Sequence, residues 1–156
     1  MLVWVAVAAL STNCSKEGPA GPAGPTGNAN VIGTNVVNID ATYWYPNSTS
    51  TLWTAQLNTS GITQAIIDKG SVQLFFNING SEWSSIPITV SNYSLSYSFG
   101  LGYLKVYAQK TDLSTLSNPG NASFRIVVIS ASNKMSHPNT NWSDYKQVEK
   151  ALGIKF

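Results

Sequence analysis

Residues 93–99 read Tyr-Ser-Leu-Ser-Tyr-Ser-Phe, so Tyr93, Leu95, Tyr97 and Phe99 alternate with Ser94, Ser96 and Ser98. A period of two gathers the large side chains on one face and the hydroxyls on the other only if the backbone is extended. On a helix the same residues would scatter around the axis. The segment predicts a strand with one buried and one wet face. Such a face must be covered by a second layer, which already excludes an all-helical chain.

Other segments repeat the pattern. Residues 51–57 put Thr51, Trp53, Ala55 and Leu57 on one side, and residues 72–78 do the same with Val72, Leu74, Phe76 and Ile78. Asn79-Gly80 follows, a pair that tolerates positive φ and so marks a turn before Trp83. Residues 31–39 predict a first strand with Val31, Val37 and Ile39 on one face. Residues 86–90 predict another, at an edge because Pro87 has no N–H to donate. Residues 101–108 follow a turn at Gly100, with Gly102 as a bulge. Residues 112–121 read as a polar loop. Residues 124–130 are almost continuously apolar, as in a central strand buried on both faces. Strands recurring about every 8–12 residues between turn signals predict a mainly β fold, an antiparallel β-sandwich spanning 28–156.

Two helical pieces interrupt the strands. Residues 63–68 predict one turn, with Ile62, Ile66 and Ile67 inward and Gly70 as its stop. Near the C-terminus Asn141 or Ser143 can cap a short helix, with Asp144 in its first turn. Tyr145, Val148 and Leu152 then recur at helical spacing, and Gly153 ends it. This stripe is expected to dock on a sheet edge or an open end of the sandwich, leaving Lys146, Glu149 and Lys150 in water.

Composition narrows the chemistry. Charged residues are 10% of the chain, against roughly 25% in ordinary soluble domains. Ser, Thr and Asn supply 48 of the 156 residues, and 43% are apolar. Polarity is carried by uncharged groups on a chain able to build a core. A net charge of +2 is too small for an electrostatic nucleic-acid binder. One Cys excludes an internal disulfide, and one His argues against a His-based metal site. His137, beside Pro138, reads as a loop residue. The carboxylates Asp40, Asp68, Glu82, Asp112 and Asp144 stand apart in sequence. There is no D-x-D-x-D calcium loop and no G-x-S-x-G nucleophile elbow. No catalytic residue, metal or cofactor is assigned, and the chain reads as a non-enzyme.

The N-terminus reads as an address. Residues 2–10, Leu-Val-Trp-Val-Ala-Val-Ala-Ala-Leu, are too few to span a bilayer, which takes about 20 residues in a helix. They match the apolar region of a secretory signal. Ser11-Thr12-Asn13-Cys14 follows, and the whole resembles a bacterial lipoprotein signal with a relaxed lipobox. The resemblance implies that residues 1–13 are removed and that Cys14 carries acyl chains. Each buried methylene then adds ~0.8 kcal/mol of membrane affinity. The competing reading, residues 2–10 as a core strand, sits poorly with the Ser-Lys-Glu and Gly-Pro run that follows.

Residues 14–27 hold three Gly-X-Y triplets: Gly18-Pro19-Ala20, Gly21-Pro22-Ala23 and Gly24-Pro25-Thr26. They predict a disordered Gly-Pro stalk. At ~3.1 Å per residue in polyproline II it would reach at most about 40 Å. The register is that of collagen, so a short trimeric stalk is the other option. Cys-Ser-Lys-Glu-Gly-Pro-Ala-Gly-Pro, then residues 62–72, Trp83 with Ile86-Pro87, and residues 124–129 resemble collagen-like lipoproteins of Bacteroidetes. The resemblance runs loosely from Cys14 to the C-terminus. It implies a β-sandwich head on an outer-membrane lipoprotein, periplasmic or surface-exposed, and offers no catalytic motif to carry over.

The aromatic run Tyr43-Trp44-Tyr45 remains. Neighbouring strand side chains point oppositely, so at least one ring is expected in solvent. Exposed rings stack on sugar faces, while Asn, Gln and Ser give directional hydrogen bonds. The alternative is that Trp44 and Trp53 fill the core. Two readings follow. The first is a lipid-anchored cell-envelope protein presenting one non-catalytic sandwich with a structural or interaction role. The second is a carbohydrate-binding module using Tyr43, Trp44 and Tyr45. The partners are the membrane through Cys14 and either a glycan or another envelope protein, with no nucleic acid.

Overall fold

The computed structural model describes residues 32–33, 36–77 and 80–153. The leader over 1–13, Cys14, the linker over 14–27, residues 28–31, Ile78 and Asn79 lie outside the described residues.

The fold is a β-sandwich of two antiparallel sheets. The first holds β1 (Ile32–Gly33), β2 (Val37–Ile39), β5 (Ser71–Asn77), β6 (Trp83–Ser85) and β10 (Ala122–Ile129). The second runs in the order β3 (Trp44–Pro46), β4 (Leu52–Asn58), β9 (Tyr103–Lys110), β8 (Tyr93–Gly100), β7 (Ile88–Val90). Among the described residues three helices complete it: α1 (Gln64–Lys69), α2 (Ala131–Ser136) and α3 (Tyr145–Leu152).

The alternating segments became strands, but the apolar face of β8 (Tyr93–Gly100) is covered only at its middle: Leu95 and Tyr97 are partly buried, while Tyr93 and Phe99 near its ends are exposed. On β4, Ala55 and Leu57 are buried while Gln56 and Asn58 are exposed. Phe124 to Ile129 are all buried, and β10 is central in its sheet, between β5 and the pair β1 and β2. The expected first strand is carried by β1 and β2, which pair with β10 in succession. The expected strand over 86–90 divides differently. The chain leaves the first sheet at β6, passes the cis Ile86-Pro87 bond, and enters the second at β7. Both β6 and β7 are edge strands, where a proline does least harm.

Gly102 is not a bulge. It takes φ +79° in the two-residue turn joining β8 to β9, where Gly100 pairs with Tyr103. That left-handed conformation is where glycine carries no Cβ penalty. Gly70 does stop α1, but with a negative φ; its reason is space. A Cβ there would lie 2.6 Å from the Ile129 carbonyl oxygen and 2.9 Å from the Ile66 Cα.

The core lies between the sheets. Val72, Leu74, Phe124, Ile126 and Val128 of the first meet Trp44, Ala55, Leu57, Leu104, Val106 and Ala108 of the second. Tyr97 crosses the layer, its hydroxyl donating to the Val72 carbonyl at 2.7 Å. Burial raises the pKa of that hydroxyl, so it stays a donor. Ile62 and Ile66 join this core, whereas Ile67 faces solvent at 38% exposure, contrary to expectation.

The C-terminal helix forms as its stripe and Gly153 predict, with Gly153 at φ +63°. Its cap is Asp144, whose carboxylate accepts from the Gln147 amide, rather than Asn141 or Ser143. That bond holds the Asp144 carboxyl below its ordinary pKa. The helix docks on the outer face of the first sheet, reaching its edge strand β6 through Trp83 rather than capping an open end. Val148, Tyr145 and Leu152 cover the outer face of the first sheet, over Phe75, Val127 and Ile129. Glu149 is therefore half-buried rather than in water. α2 has no apolar stripe and was not expected. Its Ser130 cap and the buried Asn133 fix it, and His137 Nδ1 lies 3.1 Å from the Asn133 carbonyl oxygen.

Candidate functional site

α3 covers the outer face of the first sheet over Phe75, Val127 and Ile129. Among the described residues the outer face of the second sheet has no such cover: none of its outward side chains is buried. Register defines that face row by row. Trp44, Ala55, Val106 and Tyr97 share one inward row. The next row, one residue along, points out: Tyr45, Thr54, Tyr107 and Ser96. The row of Gln56, Lys105 and Ser98 follows, then Asn58 with Tyr103.

The aromatic run is thus split. Trp44 is 4% exposed and lies in the core. Its Nε1 donates to the Gly120 carbonyl at 2.9 Å, which satisfies the one polar atom such a ring brings inside. Trp44 therefore offers no ring to a ligand on the outer face, because it pairs with Ala55 on the inward row. Trp53 is likewise a core-side ring, with its Nε1 donating to the Leu116 carbonyl at 2.8 Å. Tyr45, by contrast, is 68% exposed. Tyr43 is also exposed, at the end of a 3-10 turn started by Asp40, whose carboxylate accepts from the Thr42 amide at 2.8 Å.

Two tyrosines not anticipated from the sequence complete the face. Tyr107 sits two strands from Tyr45 in the same row, about 10 Å away by strand spacing. Tyr103 lies four residues from Tyr107 on β9, about 14 Å along the strand. Tyr107 is oriented by Ser98, hydroxyl to hydroxyl at 2.9 Å. Lys105 spans the gap, its Nζ 5.5 Å from the Tyr103 ring centroid. The remaining groups in these rows are hydroxyls and amides. The signal was present in residues 103–110, Tyr-Leu-Lys-Val-Tyr-Ala-Gln-Lys: once Leu104, Val106 and Ala108 are taken as inward, Tyr103, Lys105 and Tyr107 must face out.

A platform of spaced rings amid hydroxyls and amides, with Lys105 as the one cation in these rows, can hold a flat, polyhydroxylated molecule. It carries no general acid or base pair. Among the described residues no group of three or more His, Cys, Asp or Glu could hold a metal ion, and no helix is long and apolar enough to cross a membrane. Comparison of the chain with protein-family models, curated proteins and solved structures finds no match.

Proposed function

We propose that the chain is a lipid-anchored cell-envelope protein whose β-sandwich is a non-catalytic interaction head. The anchor is the acylated Cys14 and the spacer is the Gly-Pro linker over 14–27, which places the head at the outer membrane. The observation that supports an interaction role is the asymmetry of the sandwich. One outer face is covered by α3 over Phe75, Val127 and Ile129, and the other presents Tyr45, Tyr103 and Tyr107 around Lys105 among Ser, Thr, Asn and Gln. That chemistry favours a neutral glycan as the ligand, by ring stacking and hydrogen bonding rather than charge.

Two measurements test the reading. Metabolic palmitate labelling is expected to mark the full chain and to disappear in Cys14→Ala; persistent labelling overturns the anchor. On an array of neutral glycans, binding is expected to weaken about tenfold, ~1.4 kcal/mol, in Tyr107→Ala and in Tyr45→Ala. Tyr45→Ala is the cleaner variant, because its ring is the most exposed of the three. Binding that ignores both substitutions removes the glycan from this face and leaves another envelope protein as its partner.

A further inference from the structure

The sandwich is sealed at one end and open at the other. α1 seals the first end: Ile62 and Ile66 are buried, and the Gly102 amide donates to the Ile62 carbonyl at 2.9 Å. Residues 111–121 cross the second end and fill it only in part, with Leu116 buried. Beside them, between the sheets, lies a cavity of about 390 Å³. Trp44, Phe76 and Phe124 form its walls, Val90 stands at its mouth, and among the described residues no charged side chain lines it. Ser91 and Asn121 are polar groups on its two lips, and the half-exposed Tyr93 adds a hydroxyl-bearing ring to the lining.

This is not the scale of a packing flaw. Native interiors leave few voids larger than a water, whereas ligand pockets occupy roughly 300–1,000 Å³. Water would find few hydrogen-bond partners on such walls. Both lips are also built. On one, Gly120 takes φ +75°; its carbonyl accepts from Trp44 Nε1 and its amide donates to Asn118 Oδ1 at 2.9 Å. Asn118 Nδ2 in turn donates to the Ala41 carbonyl. On the other, Ser91 holds φ +54°, a left-handed conformation that disfavours any side chain.

We propose that this cavity binds a small uncharged amphiphile. Its apolar body lies between the sheets and one hydrogen-bonding group meets Ser91 or Asn121. A charged ligand is rejected because no lining residue would pair with it. The site is separate from the tyrosine face: its strand residues point inward, so it stands or falls independently of the glycan reading.

The test is a fluorescence titration of the full chain with the neutral probe N-phenyl-1-naphthylamine. One saturable site is expected. Val90→Asp puts a carboxylate at the mouth on a side chain already 44% exposed, so the fold is kept. It should weaken the probe at least about tenfold. Ala122→Phe should fill the cavity and abolish binding; if that variant does not fold, Val90→Asp decides alone. No saturable binding overturns the proposal, and so does equal binding by Val90→Asp, which would place the probe elsewhere on the chain. Glycan binding should be unchanged in Val90→Asp.

Discussion

Truncating Phe75 to alanine is expected to destabilise the domain by about 3–5 kcal/mol, as for other fully buried phenylalanines. The ring is 0% exposed, yet it does not belong to the layer between the sheets. It points out of the first sheet and meets Tyr145 edge-on at 5.1 Å, beside Val127, Ile129 and Val148. Of these neighbours Tyr145 and Val148 belong to a helix of eight residues. A helix shorter than about 12–15 residues is marginal in water, so α3 depends on this contact to exist. The substitution therefore leaves a cavity and releases the helix together. Domains of this kind hold only about 5–15 kcal/mol, so a fall in Tm of roughly 10 °C or more should follow. Amide hydrogen exchange should show α3 losing protection before β5 and β10. A loss below about 1 kcal/mol, with α3 still protected, would mean that the helix docks through other contacts.

That helix also marks how far the sequence could be read. Alternation states that a side chain leaves one face of a strand; it does not state what covers that face. Residues 93–99 and 51–57 were legible because one of their faces is wet. The run 124–129 was legible as doubly buried because both faces are covered. Which layer covers each face is a matter of topology. α3 was therefore recognisable as a helix, but its seat on Phe75 and Val127 was not. The same limit applies to Trp44. Parity puts it opposite Tyr45, but only the pairing with Ala55 says which of the two goes inside. Tyr103 and Tyr107 were within reach, since their parity follows from Leu104 and Val106. α2 was out of reach, because a buried asparagine and a serine cap leave no apolar period. Arg125 was hidden differently, as one charge inside an apolar run.

Arg125 makes the second large prediction: alanine there is expected to destabilise by about 3 kcal/mol, and methionine by little. It is the only arginine in the chain, and its side chain is 8% accessible. It lies on the α3 side of the first sheet, with its guanidinium 4.4 Å from the Trp83 ring centroid and 5.1 Å from that of Tyr145. Glu149 Oε1 is 3.7 Å from its Nη1 and also accepts the Tyr145 hydroxyl at 2.6 Å. Burial acts against the charge, lowering the pKa of the guanidinium, and Glu149 acts for it. The ion pair is long, and its carboxylate is 34% exposed, so solvent screens it. What holds the site is then the flat side chain filling the slot beside the Trp83 and Tyr145 rings, which themselves meet at 6.0 Å between centroids, with cation–π attraction of about 0.5–2 kcal/mol. Methionine is unbranched, similar in length and polarizable, so it can occupy the same slot without a charge to desolvate. Alanine leaves Trp83 and Tyr145 facing a void, with Glu149 deprived of its cation. Glu149→Gln keeps an acceptor for the Tyr145 hydroxyl and should change stability by less than about 1 kcal/mol. Urea denaturation of the three variants separates the causes. If Arg125→Met proves as damaging as Arg125→Ala, the charge and not the volume holds α3 to the sheet, and Glu149→Gln should then be damaging as well.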